Sequence, residues 1–92
     1  MPRTFFSPAA EKDFGKLSGA AEKEVKKRLT ELANDPHSGK LLHGPLRGFF
    51  VLRFHAGGVA YRIVYEIVGA DVLVLMIGSR DNFYKKLNRR VR

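Results

Sequence analysis

The chain has 92 residues, 45% hydrophobic and 28% charged, with a formal net charge of +8 and no cysteine. That length suits one domain over 1–92 with a real core and leaves no room for a second. The lack of cysteine excludes a disulfide framework, a zinc knuckle and a thiol nucleophile.

No apolar run approaches the roughly 18 residues that span a membrane. The opening stretch MPRTFFSPAAEKDF lacks the apolar segment of a secretory signal. A cytoplasmic protein without a membrane partner is expected. Charge is more informative because it is uneven. Residues 1–36 carry seven Lys/Arg against six Asp/Glu, whereas residues 37–92 carry ten against three. A positive field confined to one part of a chain attracts polyanions and speeds their association. The expected partner is a nucleic acid or an acidic protein.

The elements follow in order. RTFFS reads as a short first strand. Ser7 then Pro8 opens a helix, with a capping hydroxyl and a proline in the first turn. Ala10, Phe14 and Leu17 follow at helical spacing, and Ser18-Gly19 breaks this helix and opens another. Ala21, Val25, Leu29 and Leu32 then form one apolar stripe, leaving Lys23, Lys26, Lys27 and Glu31 for solvent. Asn34-Asp35-Pro36 ends the helix.

A loop rich in turn residues leads to FFVLRFH, which alternates with Phe50, Leu52 and Phe54 on one face. Phe49, Val51, Arg53 and His55 take the other. Gly57-Gly58 permits a tight reversal, and VAYRIVYEI returns as the partner strand. VLVLMI, apolar on both faces, is an interior strand. The last segment, GSRDNFYKKLNRRVR, is basic and has helical character. The fold class is α+β: β-α-α-β-β-β, a helical hairpin packed on a small, mostly antiparallel sheet, with a basic C-terminal segment.

Period two separates the faces of this sheet. Phe50, Leu52, Phe54, Tyr61, Ile63 and Tyr65 supply an apolar layer for the helix pair to cover, which gives both tyrosines a packing role. Arg53, His55 and Arg62 are left on the opposite face, and Arg80 lies just past the end of the third strand. Three arginines converging in a half with few acids point to phosphate binding. The alternative is pairing with a local acid, Glu66 or Asp81.

LHGPLRGFFVLRFHAGGVAYRIVYEI, followed by VLVLMIGSRDNFY, resembles the RelE/ParE superfamily of toxins from type II toxin–antitoxin systems. The residues that carry the resemblance are Leu46 with Gly48, Arg53, Tyr61-Arg62-Ile63-Val64-Tyr65, Gly78-Ser79-Arg80 and Tyr84. It spans residues 46–84. It implies a small growth inhibitor held in a hetero-oligomer with a cognate antitoxin protein. Many relatives cleave mRNA on the ribosome without a metal or other cofactor, using the RNA 2′-hydroxyl as nucleophile. The resemblance makes Arg62 a phosphate ligand, Arg80 a stabiliser of charge at the leaving oxygen, and Tyr84 a stacking residue that orients the substrate. Arg47, Arg53, Lys85 and Lys86 are further RNA-binding candidates.

The resemblance is incomplete at the base. Ribosome-dependent members commonly carry lysines on the strand before the hairpin, and here no lysine lies between Lys40 and Lys85. Arginine holds its proton and is a poor general base. His55 shares the Arg53 face, and imidazoles ordinarily exchange protons near neutrality. It is the best-placed candidate, ahead of His37 and His43 in the loop. The missing lysines keep open a second function: inhibition of DNA gyrase by binding, without RNA cleavage.

Overall fold

The protein, described by a computed structural model over residues 3–17, 19–79 and 83–90, follows the expected class with two additions. Its elements are β1 (Thr4–Phe6), α1 (Pro8–Gly15), α2 (Gly19–Asn34), β2 (Lys40–Leu41), β3 (Phe50–Ala56), β4 (Val59–Val68), β5 (Asp71–Ser79) and α3 (Phe83–Arg90). The sheet order is β1-β5-β4-β3-β2. All pairings are antiparallel except β1 with β5. The short β2 lies in what the sequence suggests is loop, and Phe83–Arg90 of the basic tail form the helix α3.

Local chemistry sets the boundaries. The Ser7 backbone is extended, and its hydroxyl accepts from the Ala10 N–H at 3.1 Å to cap α1. The α2 stripe buries Ala21, Val25 and Leu32, while Lys23, Lys26, Lys27 and Glu31 are exposed as expected. Between β3 and β4, Gly57 and Gly58 both have positive φ, 57° and 79°. Two such residues in succession are what a two-residue hairpin turn with the right twist requires. That turn fixes the register, so Ala56 faces Val59 and every pair behind it follows.

The helices cover one face of the sheet. Ala10, Val25 and Leu32 pack there against Phe54, Ile63, Tyr65, Val72, Val74 and Ile77. Each large side chain fully removed from water contributes about 1.5–3 kcal/mol. The opposite face is not left wholly polar, and this corrects the simple two-sided expectation. Val51, Val64 and Met76 form a second core there with Leu46, Phe83 and Leu87. Segment 44–49 and α3 thus cover one half of the second face.

A bulge in β5 lets that strand serve both cores. Val64 pairs with Met76 but Tyr65 pairs with Val74, so Leu75 has no partner on β4. The last backbone bond between the β1 segment and β5 is from the Ser7 N–H to the Val74 carbonyl at 2.9 Å, and beyond it side chains take over the outer edge. The Leu75 carbonyl accepts from Ser7 Oγ at 3.4 Å and from Arg90 at 3.1 Å. The Ile77 N–H donates to the Asp13 carboxylate at 3.0 Å. Arg90 also meets both Asp13 oxygens, at 2.7 and 3.0 Å. This pairing holds its guanidinium above the ordinary value, against the opposing effect of burial. Helix α3 is therefore docked, and Arg90 belongs to the structure rather than to a free cationic arm.

Tyr65 closes the other edge. Its hydroxyl donates to the Pro36 carbonyl at 2.7 Å and accepts from the Gly39 N–H at 3.0 Å, and its ring stacks on Phe50. A Cβ at residue 39 would lie 2.5 Å from that hydroxyl oxygen and 3.0 Å from the Val51 carbonyl, so only glycine fits. Tyr65→Phe leaves two polar groups without their partner and is expected to cost about 1–3 kcal/mol in urea unfolding. Burial is the main cause that raises the phenol above its ordinary 10.0. A raised folded value means that this contribution is fully present below about pH 10 and is lost as the pH climbs through the folded value. The Phe variant is expected to lack that alkaline loss, read from unfolding midpoints across the same pH range.

Candidate phosphate-binding site

In an antiparallel ladder, directly opposite residues point to the same face. Arg53 is opposite Arg62, and His55 is opposite Ala60. Two arginines therefore stand side by side on the second face, at the margin of the half that segment 44–49 and α3 cover. Like charges directly opposite each other destabilise a ladder. Arg53 and His55 are exposed, and Arg62 is partly buried.

The burial of Arg62 comes from α3. On β5 its partner is Gly78, which has no side chain to fill the space beside it. The Phe83 ring takes that space, 3.6 Å from where a Gly78 Cβ would lie. The Arg62 Cζ lies 5.9 Å from the centre of the same ring. A cation over an aromatic face gains about 0.5–2 kcal/mol, more as water is excluded. Arg62 is thus flanked by a second arginine on one side and supported by an aromatic ring on the other.

The acids nearest in sequence are placed as follows. Glu66 is four residues along β4 from Arg62, about 13 Å at strand spacing. Asp71 accepts the Arg3 N–H at 3.0 Å near the opposite edge of the sheet. Among the described residues, the ion pairs lie on α2 and between Arg90 and Asp13. Asp81 lies outside the described residues. No three His, Asp or Glu side chains among the described residues gather where they would hold a metal ion.

The other expected site residues divide clearly. Arg80 lies outside the described residues; Ser79, just before it, is opposite Tyr61. The backbone of Tyr84 belongs to α3, and its side chain is outside the description. His55 is on the correct face, one row further toward the turn than the arginine pair. Arg47 is exposed but sits in the segment before β3, six residues ahead of Arg53. Lys85 and Lys86 are exposed on α3 between the buried Phe83 and Leu87. His37 meets the Phe50 ring edge-to-face, with centres 5.8 Å apart, and has a packing role. Sequence reasoning missed Phe83. Its one signal is its place directly before Tyr84 in a segment otherwise rich in cations.

This geometry sits in a known class of protein. The chain belongs to the ParE-like toxins of type II bacterial toxin–antitoxin systems, whose family model matches residues 5–88. Among solved structures it is similar to the toxin–antitoxin complex RelBE2 from Mycobacterium tuberculosis, at 27% identity and a TM-score of 0.75, covering 87% of this chain and 100% of that one. The intact E. coli RelBE toxin–antitoxin complex matches at 25% identity and a TM-score of 0.73, covering 88% and 99%. The YoeB/ParE toxin from Agrobacterium tumefaciens has 12% identity and a TM-score of 0.69, covering 86% and 99%, a likeness of fold alone. No curated protein sequence matches.

Proposed function

We propose that this toxin is a metal-independent endoribonuclease that cleaves mRNA on the ribosome, with the RNA 2′-hydroxyl as nucleophile. The observation that carries the reading is the Arg53–Arg62 pair. Two guanidinium groups directly opposite each other concentrate positive charge on one face of the sheet, and an anion lying across them offsets their mutual repulsion. A phosphodiester does so, and its charge grows as the 2′-oxygen adds to phosphorus. Arg62, held over Phe83, is the phosphate ligand. Arg80 follows from the family resemblance as the group that stabilises charge on the leaving oxygen, and Tyr84 as the ring that stacks on a base. Fixed donors aimed at charge that develops in the transition state contribute several kcal/mol in such reactions, about 3–4 per donor.

Proton transfer from the 2′-hydroxyl falls to His55, which shares the face of both arginines. His55→Ala is expected to lower single-turnover cleavage by about 10²–10⁴. A loss below threefold would make His55 a turn residue only. The broader reading is tested by mapping RNA 5′ ends after brief expression. Cuts within translated codons are expected. Intact mRNA beside inhibited gyrase would establish the binding-inhibitor reading, which the absence of lysine from β3 favours. In either case the partner is a cognate antitoxin, the two RelBE structures being toxin–antitoxin complexes, and an acidic antitoxin segment suits the basic second half of this chain.

A further inference from the structure

The lysine missing from β3 has a counterpart one strand away. Lys40 on β2 is directly opposite Val51 on β3. Val51 shares its face with Arg53, two residues on, so Lys40 points to that same face. Lys40 and Arg53 then stand on neighbouring strands, diagonal to one another, with Arg62 on the next strand beyond. A polyanion backbone that crosses the strands from Arg62 to Lys40 passes over Arg53.

Between Lys40 and Arg53 there is a hollow. Ser38, Gly39, Lys40, Val51, Leu52 and Arg53 line a cavity of about 200 Å³. A water molecule occupies about 30 Å³, and drug-sized ligands fill about 300 Å³ or more. The hollow therefore exceeds a single bound ion and falls short of a whole nucleoside. It suits a phosphate with part of its sugar. No lining residue is acidic. Neither Lys40 nor Arg53 takes part in an ion pair among the described residues.

The rim is fixed in place. Gly39 sits between Ser38 and Lys40, and its N–H is held by the Tyr65 hydroxyl at 3.0 Å. The same hydroxyl holds Pro36 at 2.7 Å, so both ends of the segment that leads into β2 are tied to β4. Close approach of Gly39 to Tyr65 and to the Val51 carbonyl leaves that segment little freedom. Anion binding by a preordered rim costs less ordering entropy than binding by a loose loop.

The geometry points to a second phosphate subsite in this hollow, in which Ser38, Lys40 and Arg53 take the RNA phosphodiester next to the one held at Arg62. This rests on RNA being the ligand. Lys40 is a binding residue here, with no role in proton transfer.

The test uses the full chain and a short single-stranded 2′-O-methyl RNA, which binds and resists cleavage. Lys40→Ala is expected to weaken binding on the order of tenfold. It is also expected to reduce the salt slope of log K by about 0.7, the value for one phosphate contact on a single strand. Lys27→Ala, which removes an exposed charge from α2, is expected to leave both unchanged, and Lys40→Arg to retain most of the affinity. Lys40→Ala with Arg53→Ala is expected to lose less than the two separate losses combined, because both grip one group. Equal effects of Lys40→Ala and Lys27→Ala would mean bulk charge only and overturn the subsite. If wild-type protein cleaves mRNA on ribosomes while Lys40→Ala changes neither binding nor KM, the subsite is wrong and the nuclease reading stands. If Lys40-dependent binding is found without cleavage, the nuclease reading fails and the subsite stands.

Discussion

Arg62→Ala is expected to abolish growth inhibition and to lower single-turnover mRNA cleavage by about 10²–10³, the loss typical of one preorganised charge-stabilising donor. The folded state is expected to survive. Arg62 lies outside both apolar clusters, and its contact with Phe83 is worth about 0.5–2 kcal/mol. Unfolding midpoints of the variant and wild type, measured alongside cleavage, separate the two effects. Full toxicity at equal soluble expression would remove Arg62 from the site. Arg62→Lys is informative beside it. Lysine keeps the charge but loses the planar fork that meets two phosphate oxygens together, so partial activity is expected.

Leu87→Ala has the opposite signature. Leu87 is fully buried in the second core, with Phe83 one helical turn before it. Truncating such a leucine costs about 2–5 kcal/mol through lost transfer energy and the cavity left behind. The loss is expected in urea unfolding, together with reduced activity even where the protein remains folded, because α3 carries the ring beneath Arg62. Wild-type stability in this variant would mean that α3 rests on the sheet without packing into it. Asp13→Asn should act on the same helix from its other end. It weakens the Arg90 contact while keeping an acceptor for the Ile77 N–H, so a smaller loss is expected.

The half of the site on β3 and β4 is legible in the sequence because the hairpin is. Gly57-Gly58 fixes the turn, and strict alternation then assigns Arg53, His55 and Arg62 to one face. The helix pair is legible for the same reason, through the Ser7-Pro8 start and the stripe from Ala21 to Leu32. The second core is not. Val51 alternates with Arg53 and reads as part of the polar face, while the residues that cover it sit in a turn (Leu46) and in a cation-rich tail (Phe83, Leu87). The bulge at Leu75 is equally hidden, since VLVLMI is apolar in both phases and no register slip disturbs its pattern. A two-residue strand such as β2 is too short to show any period, so the placement of Lys40 beside Arg53 emerges only from the pairing.

The parallel strand at the edge bears on when the site is completed during synthesis of the chain. Arg3 donates its N–H to Asp71, 68 residues away, and β1 pairs with β5 from there to Phe6 and Val74. The first strand made has no partner until nearly the last one has emerged. Contacts of such separation are slow to form, because the intervening loop must close before any of them is gained. Arg62 follows the same timetable, since the ring that supports it arrives later still, on α3. A nascent chain that has left the ribosome only through β4 has both arginines but neither β5 nor Phe83. The surroundings of Arg62 are therefore completed only once β5 and α3 have emerged, and until then the two arginines lack the strand and the ring that hold Arg62 in place.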